Sequence, residues 1–182
     1  MVVSRAPFTR RRRILGLNRR TISPAVRRVK RDAEAAGLGD AFTLRRMQFD
    51  TKIAVVLRED LAVWQKANVT AFLVSGIAGS DPSVVGEPYV DGSGNRYLPM
   101  FRQPVFVYAA DSAGIRRAYE RAMQRGAELA IYTDELFTTN HDDANRAAVA
   151  AVPAESLDLV GIAFRAERKL VDRILDKLRQ HP

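Results

Sequence analysis

Residues 52–79, KIAVVLREDLAVWQKANVTAFLVSGIAG, decide the fold. Ile53 to Leu57 is a short β-branched and aliphatic run, Arg58-Glu59-Asp60 is a charged corner, and the stretch from Leu61 to Gly79 is helical in pattern. Val69, Phe72, Leu73, Gly76 and Ile77 fall at i, i+3, i+4, i+7 and i+8, the spacing that lays one apolar helix face on a sheet. A strand therefore feeds a helix. Lys66, Asn68 and Thr70 gather near the start of that helix. In α/β proteins the carboxyl end of a strand beside a helix N-terminus is where ligands usually sit, because unpaired N–H groups point there.

The chain of 182 residues suits one domain with an appendage, and 47% apolar residues can furnish a core. Its charge of +8 is unevenly placed. Residues 1–46 hold 13 of the 29 basic and 3 of the 21 acidic residues, a net +10, which leaves −2 for residues 47–182. Basicity belongs to the extension, so nucleic acid is expected to be met, if at all, through that arm. The extension carries Arg10 to Arg13 in a row and is read as a largely disordered basic tail with one short helix around residues 24–36, ended by Gly37. Met47 stands just before the first strand, so residues 47–182 read as a single α/β domain.

With no cysteine there is neither a disulfide framework nor a thiolate site. His141-Asp142-Asp143 reads as a solvated turn rather than a metal site, and neither metal nor cofactor is expected. No apolar stretch approaches the length a bilayer needs, so a cytoplasmic protein without a membrane partner is expected.

Beyond Gly79 the chain alternates. Tyr89-Val90 and Tyr97-Leu98 flank Asp91-Gly92-Ser93-Gly94-Asn95 and read as a hairpin or a long ordered loop. Val105 to Ala109 reads as a buried strand, with a helix after it that is capped by Asp111 or Ser112 and stopped by Gly126. Ala127 to Tyr132 is another strand, running out into the hydroxyl-rich segment Thr133 to Asn140. Ala147 to Val152 and Leu157 to Phe164 read as the last strands, and Ala166 to Leu178 as the last helix. The pattern predicts a three-layer α/β fold: a mixed sheet with helices on its faces.

Walker, nucleophile-elbow, zincin and dinucleotide signatures are absent. There remain polar residues at two strand ends: Arg58, Asp60, Lys66 and Asn68 at the first, and Asp134, Thr138, Asn145 and Arg146 near the third. A carboxylate, a hydroxyl and a cation can orient a water or hold a ribose or phosphate; the same groups can cap helices and brace loops.

Residues 47–182, through YLPMFRQPV, YTDELF, NRAAVAAV and LDLVGIAF, resemble the bacterial family of unknown function numbered two thousand. That resemblance implies a fold similar to type II peptidyl-tRNA hydrolases, whose Arg-x-Asp-Leu strand end is matched by Arg58-Glu59-Asp60-Leu61. It assigns Asp134 and Thr138 to a later aspartate and threonine of those enzymes, and Asn68 to the place of their lysine. Lys66 lies two residues early, Val63-Trp64-Gln65 replaces their Gly-Lys loop, and Val74 or Ser75 stands near their histidine. The expectation is a domain that binds a small, nucleotide-like ligand and can hydrolyse an ester or amide, with Asp134, Thr138 and Asn68 as catalytic candidates and Arg58, Asp60, Lys66 and Arg146 as ligand-binding ones. The alternative is a non-catalytic homodimeric interaction module. Genuine peptidyl-tRNA hydrolysis is not expected from a neutral amide in the lysine position and a domain of net −2.

Overall fold

A computed structural model describes Arg28, Arg31 and residues 49–181. The chain forms two compact units, Met1–Met47 and Gln48–Pro182. In the first, Arg28 and Arg31 are helical and exposed, within the short helix expected there. The expectation of disorder for the extension lies outside the described residues.

In the second unit β1 (Thr51–Arg58) is the central strand. Six consecutive residues, Lys52 to Leu57, are buried, as a strand covered on both faces requires. The order across the sheet is β5 (Ala130–Thr133), β6 (Leu159–Glu167), β1, β4 (Val105–Ala110), β7 (Arg179–Gln180). Only β1 and β4 run parallel; β6 is antiparallel to β1 and β5, and β7 to β4. The sheet is mixed, as expected.

Strand alternation sends side chains into two cores. Ile53, Val55 and Leu57 face α1 (Val63–Ser80) with its buried stripe Val69, Leu73 and Ile77. Ala54 and Val56 face the other layer, built by α2 (Ser112–Gln124) through Ile115, Ala118 and Ala122, and by α4 (Arg168–Ile174) through Val171 and Ile174. The hairpin β2 (Tyr89–Val90) and β3 (Arg96–Tyr97) forms a separate two-stranded sheet, inserted in the chain between α1 and β4.

Three details depart from the sequence reading. Ala147 to Val152 is not a strand: α3 (Asp142–Ala150) occupies most of it. Alanine is the best helix former, His141 caps the first turn by accepting the Ala144 N–H, and Asp142 and Asp143 sit where the helix dipole favours carboxylates. Pro153 lies beyond the end of that helix and is compatible with it. The last helix is shorter than expected because β6 continues to Glu167 and Arg168 is the first helical residue, and the chain then adds the two-residue edge strand β7. Phe72, expected against the sheet, is instead 53% exposed.

A bulge shapes the end of the sheet nearest the candidate residues. Tyr132 pairs with Gly161 and Thr133 with Leu159, so Val160 is an extra residue on β6. The ladder ends in a bond from the Asp134 N–H to the Asp158 carbonyl, at 2.9 Å. Two loops are thereby brought beside the carboxyl end of β1.

Candidate functional site

The carboxyl end of β1 carries a charge knot. The Arg58 guanidinium donates from Nε to Asp60 (2.8 Å), from Nη1 to Asp158 (3.0 Å) and from Nη2 to Asp134 (3.1 Å). Its side chain is only 16% exposed, whereas the three carboxylates are about half exposed or more. Burial alone lowers the Arg58 pKa, yet the Asp60 hydrogen bond and the fields of Asp60, Asp158 and Asp134 outweigh it and the net shift is upward. One permanently charged fork thus joins the β1 corner to the loops at the end of β5 and the start of β6.

The second feature is a cleft of about 540 Å³ between α1 and the segment after β5. Helix α1 begins after Ala62, whose N–H is held by the Gln65 side chain at 2.9 Å, so Val63, Trp64 and Gln65 form its first turn. From there Trp64, Asn68, Phe72 and Ser75 run down one stripe of the helix and form one wall. This stripe lies beside the buried one and is left uncovered. Tyr132, at the end of β5, and Phe137, in the 3-10 turn Asp134–Phe137, form the opposing floor.

Four rings run in sequence through the cleft. Trp64 meets Phe137 edge-on with centroids 6.1 Å apart, Phe137 tilts against Tyr132 at 5.1 Å, and Tyr132 meets Phe72 edge-on at 5.8 Å. Edge-to-face contact holds these rings against one another, with Tyr132 buried and Trp64 and Phe72 left exposed towards a further planar group. Burial raises the pKa of the Tyr132 phenol, whose hydroxyl points to the Leu136 carbonyl at 3.5 Å.

The rim is amide and hydroxyl: Asn68, Asn140, Asn145 and Thr139. Thr139 Oγ1 contacts both Leu136 O, at 3.1 Å, and the Asn145 side-chain carbonyl, tying the turn to α3. His141 also lines the cleft, and its Nδ1 accepts the Ala144 N–H at 3.2 Å, which places the proton of the neutral ring on Nε2 as a donor. Asp142 is the one formally charged residue of the lining, and it is paired with Arg146 on α3. Among the described residues no group of His, Asp and Glu could hold a metal ion.

The residues singled out from the sequence are distributed between these features. Asn68 lines the cleft. Arg58, Asp60 and Asp134 belong to the knot, where Asp158 joins them. Thr138 is not in the cleft lining; both its N–H and its hydroxyl are spent on Glu135 O, at 3.0 and 2.8 Å, closing the 3-10 turn. Lys66 lies in the early turns of α1 and is not in the cleft lining, and Arg146 is held by Asp142 and Asp143. Sequence reasoning misses Trp64, Tyr132, Phe137, Asn140 and His141. The signals are an aromatic in a charged corner and the hydroxyl-rich stretch after β5, which stands out as a whole but not residue by residue.

A mixed α/β sheet domain with an aromatic cleft between its first long helix and the turn after the edge strand β5 is the class that fold and site define. The chain belongs to the family described as "Protein of unknown function (DUF2000)", whose model matches residues 51–182. It is similar to a solved structure of Atu0240 from Agrobacterium tumefaciens strain C58, itself described as a protein of unknown function. The two share 47% identity over 74% of this chain and all of that one, with a TM-score of 0.73. No curated protein matches. Among the described residues no helix is long and apolar enough to cross a membrane.

Proposed function

We propose that the domain binds a small planar ligand, of the size and chemistry of a nucleobase or nucleoside, in the cleft between α1 and the turn after β5. The observation that carries this reading is the aromatic row Trp64, Phe137, Tyr132 and Phe72 under a rim of side-chain amides. Ring faces attract a flat heterocycle, and amides pair with its donor and acceptor edge. The charge of the lining selects further. With Asp142 already paired and no cation in the wall, the cleft favours a neutral base or nucleoside over a polyphosphate.

We take the fold as related to that of type II peptidyl-tRNA hydrolases, a reading supported by the Arg58-Glu59-Asp60-Leu61 corner, and the setting as cytoplasmic. Activity is a separate matter. Ester or amide hydrolysis would draw on Asp134 and Thr138, but the first is bonded to Arg58 and the second to Glu135 O. Asn68 offers a carbonyl a neutral amide, without the full charge that a developing oxyanion calls for. Binding is therefore the primary reading.

Saturation-transfer NMR with adenine, adenosine and adenosine monophosphate tests it. Transfer to the base protons is expected, weakened about fivefold or more in Phe72→Ala, the lower range of stacking losses. No transfer from any planar heterocycle, with the protein folded, refutes the reading.

A second reading, a homodimeric interaction module, is favoured by one observation: Tyr89, Val90, Tyr97, Leu98 and Met100 on and beside the hairpin are all exposed. Light scattering on an eluting sizing column would show a dimer that Leu98→Lys converts to a monomer. A concentration-independent monomer would remove this reading.

A further inference from the structure

The layer opposite the cleft carries a concentration of unpaired cations. Helix α2 and the residue that caps its end present Arg116, Arg117, Arg121 and Arg125, and none of them takes part in an ion pair among the described residues. Three spend donors on backbone carbonyls. Arg116 bonds Ala154 O and Leu157 O, Arg121 bonds Ile174 O and Asp176 O at the end of α4, and Arg125 bonds Arg121 O. Arg117 makes no such bond and is exposed.

Beside Arg117 lies a pocket of about 290 Å³, formed between α2 and the turn after α4. Arg117 and Arg121 enter it from the helix and Lys177 from the turn, against the single carboxylate of Asp176. Arg125 and Arg173 continue the positive surface in an adjoining trough, where Asp172 is already bonded to Lys52 Nζ at 2.5 Å. This accumulation occurs in a stretch, residues 47–182, whose overall charge is −2. Lys177 also has a φ of 70°, a left-handed backbone that glycine or asparagine adopts at less cost. Lys177 thus lines the pocket from a backbone conformation that a glycine would hold at less cost.

We propose that this pocket is a site for a phosphoryl group on a small molecule. Arg117 and Lys177 supply charge, and Arg121, anchored through Nη1 to the end of α4, presents its remaining donors as a fixed fork. The dimensions favour a single phosphoryl group with a small substituent over a nucleic-acid backbone, which needs an extended strip of contacts. The Asp176 carboxylate opposes a dianion, so it limits affinity.

Amide chemical shifts of the full-length protein, monitored during titration with inorganic phosphate and with sodium chloride at matched ionic strength, provide the test. Saturable shifts at Gly114, Ala118 and Leu178 are expected with phosphate only. Arg117→Ala and Lys177→Gly should each weaken binding about tenfold, the loss of one charge-assisted contact. Asp176→Asn should tighten it. Lys177→Gly should also melt at or above the wild-type temperature, because glycine suits the left-handed backbone, which separates loss of binding from loss of fold. Equal shifts with chloride, or wild-type phosphate affinity in Lys177→Gly, overturn the proposal. So does an RNA oligonucleotide that moves the same amides at far lower concentration than phosphate, since the site would then be polyanionic.

Discussion

Gly161 lies directly against Val69: a β-carbon at position 161 would stand 2.7 Å from Val69 Cγ1 and 2.9 Å from Leu73 Cδ1. Here α1 touches the sheet with nothing between, next to the bulge at Val160 in the β5–β6 ladder. Gly161→Ala should destabilise the domain by about 1–3 kcal/mol through overpacking, read as a lower urea midpoint with unchanged slope. Gly79, near the end of α1, has nothing within 4 Å of the same virtual atom. Gly79→Ala should therefore stabilise slightly, by about 0.5 kcal/mol, through helix propensity alone.

The Arg58 knot should respond asymmetrically to mutation. Arg58→Ala removes the one cation shared by Asp60, Asp134 and Asp158 and leaves three carboxylates close together, so a loss of about 2 kcal/mol is expected. Asp134→Asn removes a single half-exposed arm while the other two remain, and should cost under ~1 kcal/mol. Denaturation of both variants checks the order. Equal losses would mean that the carboxylates, and not the guanidinium, hold the corner together.

The β1–α1 unit is legible in the sequence because burial and periodicity coincide there: Ile53 to Leu57 is covered on both faces, and Val69, Leu73 and Ile77 repeat at a four-residue interval. Segment 147–152 misleads because its valines and Pro153 point to a strand, whereas the cap that starts the helix, His141, lies outside the segment. The two residues of β7 carry no pattern long enough to notice. Of the cleft, Asn68 and the stretch after β5 stand out as polar groups at strand ends. Phe72 does not, because helical spacing says which side chains share a face and not whether a neighbour covers it. Arg58 is recognisable as polar and near the end of a strand, but its partner Asp158 lies 100 residues away and no local signal joins them.

The hairpin turn should be acid-labile. Asp91 accepts from the Asn95 side chain (2.8 Å), the Tyr97 hydroxyl (2.8 Å) and the N–H groups of Asn95 and Ser93 (both 2.9 Å). The Asn95 side chain leads these contacts, which together lower the Asp91 carboxyl pKa from 3.8 to about 2. A depressed carboxylate stabilises the folded turn above its unfolded pKa, and that contribution is lost as pH falls through the folded value. Hairpin order should therefore be intact at pH 5 and decline from about pH 4 towards 2. Carboxyl carbon shifts of Asp91, together with amide exchange at Asn95, track the transition. Asp91→Asn should weaken the turn at neutral pH and remove the pH dependence there.

The central claim, a planar ligand in the cleft against Trp64 and Phe72, has an internal reporter because Trp64 is the sole tryptophan of the chain and stands in the cleft wall. A ring stacked beside it changes its emission, and nothing else in the protein contributes an indole signal. Titrating adenosine into the protein should give a saturable change in tryptophan fluorescence, with the midpoint moved at least about tenfold higher in Asn68→Ala/Phe72→Ala, where an amide contact and a stacking face are both gone. Fluorescence that stays flat for base and nucleoside alike, or that changes identically in the double variant, would contradict the account.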